Sequence, residues 1–377
     1  MPLTIERVAI DGATREALTP LGLPDVVADD WARFAGPQVR TLLVARGSAG
    51  DVAGAAITSG RPLAGYLKIG GIWTADAVES AAAADDEAAA WVVRELVAAA
   101  ERLAWESGFT VVKWEHRPGE PGAAAASGYF GPATGYVAVP APGISAPIPN
   151  PRPDVPSAWF KWRTATPLAA VPYMRQTTDF TCGTASLSML LAGSGLIAEP
   201  SRAQELALWR QATTVVGCDP YGLAVTAGQQ GLHPLVVINT QDTLFTEDLK
   251  NEQERELRAF IQAGFRDEVG QWGIETELRA FDIADLRAVL ASGGTALVLV
   301  DTVLVTGDLC PHWIFAHSLH HDAEAGEYFL IHDPWTEWEQ GESWVDAYNV
   351  PLTADALDKI AWTGTPAVRA MLTFTAG

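Results

Sequence analysis

Cysteine is scarce in this chain: Cys182, Cys218 and Cys310 are the only three, and none belongs to a C-x-x-C pair. Three cysteines at these spacings cannot form the disulfide framework of a small secreted domain. Basic charge is scarce too. Against 46 Asp and Glu there are 25 Lys and Arg, a formal net charge of -21. Phosphate binding needs concentrated Lys and Arg, so nucleic acid and anionic membrane are disfavoured, and neither is expected as a partner. No apolar run is long enough for a membrane span, and the opening MPLTIERVAIDGA lacks the basic region and apolar core of a secretory signal. A soluble protein of a reducing cytoplasm is expected, a compartment that also keeps a reactive thiol reduced.

What is present is a well-packed globular composition, 48% hydrophobic and 19% charged, over 377 residues, enough for two domains. No internal repeat is visible. Prolines recur every few residues between Pro140 and Pro156, in YVAVPAPGISAPIPNPRPDVPSAWFKW, which favours extended backbone and opposes a helix or central strand. The expected division is a first domain over residues 1–150, a proline-rich linker over 151–167, and a second domain over 168–377.

The first domain reads as α/β. RTLLVARG, VAGAAITS and AGYLKIGGIWTA are strand candidates, and TVVKWEH is another after a long helix in DDEAAAWVVRELVAAAERLAWESGF. Val92, Val93, Leu96, Val97, Ala100, Leu103 and Ala104 form that helix's apolar face, and Gly108 ends it. This order, with ASGYFGPATGYVAV after it, resembles the acyl-CoA N-acetyltransferase fold of the GCN5-related family over residues 36–140. Those enzymes hold pyrophosphate in a glycine-rich turn at the start of the long helix. Here SAAAADDEAAAW stands instead, without glycine and with Asp85, Asp86 and Glu87 together, which would repel pyrophosphate. A degenerate domain without acetyl-CoA binding is therefore expected. Trp73, Trp91, Trp105 and Trp114 read as core or interface groups.

In the second domain, VPYMRQTTDFTCGTASLSMLL places Gln176 six residues before Cys182, which stands at the head of an apolar helical run. A thiolate at a helix N-terminus is stabilised by unpaired backbone N–H groups and the positive end of the helix dipole. Thr181 would help begin the turn, Gly183 would leave room for a carbonyl, and Gln176 would offer its side-chain amide to a developing oxyanion. The same local residues also fit a buried cysteine with a chance glutamine upstream. Downstream, helices and then mostly antiparallel strands give an α+β reading. The strands PHWIFAHSLHH and GEYFLIHDPW face each other across the turn-like DAEAG. His312 begins the first strand and Asp333 ends the second, so a hairpin sets a base for the thiol beside a carboxylate that fixes its tautomer. His317, an odd step from His312, faces the other side of the strand. With His320, His321 and His332 it lacks a zinc-ligand spacing, and no metal is expected.

Together VPYMRQTTDFTCGTASLSML, VVGCDPYGLAVTAGQQGLHPLVV, PHWIFAHSLHH and YFLIHDPW resemble papain-like cysteine peptidases related to those that trim double-glycine leaders from bacteriocins, the C39-like group. The closing YNVPLTADALDKIAWTGTPAVRAMLTF fits the branch in which an acetyltransferase-like domain precedes the peptidase. The resemblance covers residues 168–375. It implies Cys182 as nucleophile, Gln176 as oxyanion donor, His312 as base and Asp333 as the residue that orients it, with no cofactor. Gly217 and Gly222 would be structural and Tyr221 a pocket residue; Cys310, two residues before His312, reads as an apolar filler near the pocket or as a redox liability.

The implied chemistry is acyl transfer on a peptide or small amide, through a thioester. Water as acceptor makes a peptidase or amidase, and an amine makes a ligase or transacylase with the same residues. The acidic surface favours a basic or zwitterionic substrate through its long-range field. Two rival readings stand beside it: N-acetyl transfer by the first domain, and a non-catalytic binding or scaffold protein.

Overall fold

The computed structural model describes residues 3–10, 15–33, 36–75, 87–117, 128–149, 156–166, 168, 170–213, 215–247 and 249–375. The chain folds as a mixed α/β structure around two sheets, each of seven strands among the described residues.

Strands β1 (Thr4–Ala9), β2 (Val39–Arg46), β3 (Val52–Gly60) and β4 (Tyr66–Thr74) run antiparallel in sequence order. Then β5 (Val111–His116) joins β4 in parallel, because the chain first crosses over through the 20-residue helix Glu87–Glu106. The period of 2 in these strands sorts their side chains onto two faces. Leu67, Ile69, Val112 and Trp114 pack with Val93, Leu96, Val97 and Ala100 of the helix. Tyr66 and Val111, on the opposite face, belong to the core of the C-terminal half.

The expected linker is in part a strand. Ser157–Trp162 (β7) pairs antiparallel with β5 and with β6 (Val137–Val139), closing the first sheet. Its alternation is the reason: Ala158 and Phe160 are buried in the core of the C-terminal half, while Trp159 packs on the helix side. The prolines before it only mark the approach. Residues 150–155, with Asp85 and Asp86 and the rest of the segment before Glu87, lie outside the described residues.

The C-terminal half opens with three helices: Cys182–Gly193, Arg202–Ala212 and Pro220–Gln229. Its sheet runs in the order β13 (Val350–Leu352), β12 (Gly326–His332), β11 (Pro311–Asp322), β10 (Thr295–Asp301), β14 (Ala370–Phe374), β8 (Pro234–Ile238), β9 (Glu275–Leu278). All pairs are antiparallel except β8 with β9. The Cys182 helix is buried from Cys182 to Leu191, more completely than the one-sided face its apolar spacing suggests. It lies against β11, where Ser186 donates its hydroxyl to Trp313 O at 3.2 Å. No helix among the described residues is long and apolar enough to cross a membrane.

The halves meet through a buried polar seam. Lys68 Nζ donates to Glu115 at 3.1 Å and to Asp346, and Ser343 donates to the same Glu115 carboxylate at 2.6 Å. Lys113 gives hydrogen bonds of 2.8 Å to Val345 O and Tyr348 O, carbonyls at the end of the short helix Trp344–Ala347. The two carbonyls accept its hydrogens, while burial pushes the Lys113 pKa well below its ordinary value.

Candidate active site

The loop that delivers Cys182 is held by a buried carboxylate. Glu205 accepts the Thr177 N–H at 2.8 Å, the Thr177 hydroxyl, and the Thr181 hydroxyl at 2.5 Å. Thr181 thus precedes the helix without capping it through its side chain. Gly183 serves packing rather than carbonyl access. A Cβ there would stand 2.9 Å from Cys218 Cβ and 3.1 Å from Trp313 Cδ1. Burial pushes the Cys218 thiol well up, and the neighbouring Cys182 adds to the rise.

His312 enters from β11, opposite Val300 of β10. In the hairpin register Phe315 faces His332, so Asp333, one residue on, sits diagonally from His312 on the same face. His312 Nε2 lies 2.7 Å from Asp333 Oδ1, and both side chains are buried. Burial alone would lower the imidazole's pKa, but the Asp333 carboxylate outweighs it. With the Cys182 side chain adding to the rise, His312 is raised to about 10. Asp333 likewise would be raised by burial, yet His312 and then Arg61 hold it well below the usual carboxylate range. Nε2 is committed to Asp333, so Nδ1 is the nitrogen left to face the thiol.

Gln176 is 1% exposed, and its backbone N–H donates to Pro334 O at 2.8 Å, tying the incoming loop to the turn after Asp333. Its side-chain Nε2 donates to Thr178 O at 2.7 Å, while Oε1 is buried without a partner among the described residues. The amide is therefore not wholly free, as the sequence alone suggests. An NH2 group carries two hydrogens, and the Thr178 bond uses one and aims the other.

Two groups here have no local signature in the sequence. Glu205 is one. Arg61, just past β3, donates to Asp333 Oδ2 at 2.6 Å and to both oxygens of Glu342 at 2.8 and 2.7 Å. A small cavity with room for about one water opens between the halves, lined by Arg61, Pro62, Val300, His312, Ile331 and Asp333.

The remaining sequence candidates fall outside this cluster. Cys310 is exposed, not an apolar filler, because it sits in the loop before β11 with its sulfur 3.5 Å from Pro311 O. Gly217 has a φ of 87° and so needs glycine, and a Cβ on Gly222 would lie 2.2 Å from Ala212 O. Tyr221 packs in the core below, its ring 6.0 Å from the Arg266 guanidinium. His317 occupies a bulge in β11, with its ring 4.4 Å from that of His332. Among the described residues no group of three or more His, Cys, Asp or Glu is arranged to hold a metal.

No curated protein matches the chain. Among solved structures, a protein assigned to the GNAT acetyltransferases from Desulfovibrio desulfuricans is 14% identical. It covers 43% of this chain and 99% of its own, with a TM-score of 0.29. The PaiA N-acetyltransferase from Thermoplasma acidophilum is 10% identical over 43% of this chain and 99% of its own, with a TM-score of 0.25. Likenesses this slight carry no inference about activity. A model of the Peptidase_C39 like family matches residues 171–375, the stretch that holds Gln176, Cys182, His312 and Asp333, and the chain belongs to that family.

Proposed function

We propose that the C-terminal half is a papain-like thiol hydrolase that cleaves a peptide or amide bond through a Cys182 thioester. The observation that carries this reading is the imidazole of His312, held by Asp333 at 2.7 Å, in the half of the chain that sets the Cys182 thiol at a helix N-terminus. The Cys182 thiolate attacks the carbonyl carbon, and the oxyanion forms against the Cys182 backbone N–H and the open N–H of Gln176. Protonated His312 gives its proton to the leaving amine from Nδ1. It then takes one from the water that opens the thioester, so the thiol and the imidazole return to their starting state. An amine in place of that water would make the same residues a transacylase. The charge of -21 favours a basic or zwitterionic substrate.

Mass spectrometry of a peptide library treated with the wild type and with C182A tests the proposal. Products that gain one water, absent with a folded C182A, support hydrolysis. Products joined to an amine redirect it to ligation. Equal turnover by C182A overturns it.

Acetyl transfer by the N-terminal half is the second reading, and its antiparallel strands, crossover helix and parallel β4–β5 pair favour it. Calorimetry with acetyl-CoA separates the two. Micromolar binding would support it, and no heat at millimolar ligand would remove it.

A further inference from the structure

Arg61 belongs to the N-terminal half, yet its guanidinium is spent on the cysteine site. It is 1% exposed at the side chain, deeper than a surface counter-ion would sit. Nε and Nη2 grip the two oxygens of Glu342 in a fork, and Nη2 also donates to Trp335 O at 2.9 Å. That leaves Nη1 for Asp333 Oδ2. Glu342 is itself anchored, accepting from Gln38 Nε2 at 2.9 Å and from the Glu337 N–H at 2.8 Å. The guanidinium is therefore fixed before Asp333 is considered.

The other oxygen of Asp333 accepts from His312 Nε2 and from the Trp335 N–H at 2.8 Å. With both oxygens engaged from opposite sides, the carboxylate plane cannot turn. The imidazole bonded to it then has one orientation toward Cys182. A lysine could supply the charge but not the planar fork that fixes its direction.

We infer that Arg61 is a positioning residue for the cysteine site, reaching across from the N-terminal half to orient Asp333 and, through it, His312. The site is then assembled by both halves of the chain. This rests on the cysteine-hydrolase reading above.

Removing Arg61 alone would leave Asp333 and Glu342 buried without their cation, which threatens the fold. The test therefore uses Arg61→Met with Glu342→Gln, which keeps the net charge of the seam unchanged and removes only the fork. The rate of iodoacetamide alkylation at Cys182 is measured by peptide mass spectrometry from pH 4 to 9, with folding checked by circular dichroism. In the wild type Cys182 reacts faster than Cys218 and Cys310 near neutral pH. In the double variant Cys182 reacts roughly tenfold more slowly at pH 6.5, because a loosened Asp333 no longer holds the imidazolium beside the thiolate. Arg61→Lys shows a smaller slowing. A double-variant profile that overlays the wild type overturns the role of Arg61 and leaves the cysteine reading standing. A wild-type Cys182 no more reactive than the other two cysteines removes that reading instead. Should the double variant fail to fold, Arg61→Lys decides: a profile identical to wild type overturns the inference.

Discussion

His332 makes the fold sensitive to acid in a narrow window. Its ring is buried, Nε2 lies 3.2 Å from Val171 O, and Nδ1 accepts the Asn349 N–H at 3.2 Å. Those two backbone partners select the neutral tautomer with its proton on Nε2. A second proton on Nδ1 would point at the Asn349 N–H. Burial pushes the pKa of His332 down to about 4, and the Lys113 ammonium acts in the same direction. The unfolded chain therefore takes up its proton first, near the ordinary value of 6.5. The stabilisation is complete above that value, falls as pH drops from 6.5 toward 4, and is exhausted below it. A displacement of this size amounts to about 3 kcal/mol in full, and roughly 2 kcal/mol is already lost at pH 5. His317 is also driven well down, first by burial and then by His332, so it loses stability in the same sense. The measurement is the urea unfolding free energy at pH 7.5 and pH 5, for the wild type and for H332Q. The glutamine amide can still donate to Val171 O but does not titrate. Taking the difference between the two proteins cancels the other carboxylates, including Asp219, which burial raises to about 6 and which acts with the opposite sign. The wild type should lose about 2 kcal/mol more than H332Q over this interval. Equal losses would refute the argument that His332 is held neutral.

The site offers three further tests. D333N should keep its fold by circular dichroism yet slow iodoacetamide alkylation of Cys182 at pH 6.5 by tenfold or more, since the amide cannot hold an imidazolium beside the thiolate. Q176A should leave that alkylation rate unchanged while lowering kcat on a cleaved peptide by about 100-fold or more, the signature of a donor that acts only on the oxyanion. G222A should cost roughly 3 kcal/mol of unfolding free energy in urea, because the backbone carbonyl of Ala212 stands where the new methyl must go.

The elements that the sequence reveals are those whose signal is local. The Asn251, Asp282 and Thr353 side chains accept the N–H groups of the helices they precede, and such caps are readable a few residues at a time. The diagonal approach of His312 to Asp333 follows from one hairpin, whose turn and alternation are equally local. What escapes notice is long-range or disguised. Arg61 stands in the turn SGRPLAG, where Gly and Pro read as punctuation, and its partner Asp333 lies 272 positions away. Glu205 stands in the first turn of the amphipathic helix Arg202–Ala212, where a carboxylate is ordinarily solvated. It is fully buried only because the Thr177 and Thr181 loop folds onto it. The strand Ser157–Trp162 was hidden by the prolines before it, although Ala158 and Phe160 carry the alternation of a buried strand.

The seam between the halves explains why such groups matter more than their number suggests. Ala64, Tyr66, Val111, Ala158 and Phe160 extend the core of the C-terminal half into the first sheet, and an apolar contact of that kind tolerates a slide of an ångström or two. Lys68, Lys113 and Arg61 do not. Each is completely or almost completely buried and spends its donors on carboxylates or carbonyls across the seam. A buried charge that loses its partner costs several kcal/mol, so a slipped arrangement is penalised at every one of these points together. The apolar contacts supply attraction, and the ions select one register from those the attraction would allow. Asp333 lies at the edge of that network, bonded to Arg61 on one oxygen and to His312 on the other. The precision of the seam is therefore delivered to the imidazole through a single carboxylate.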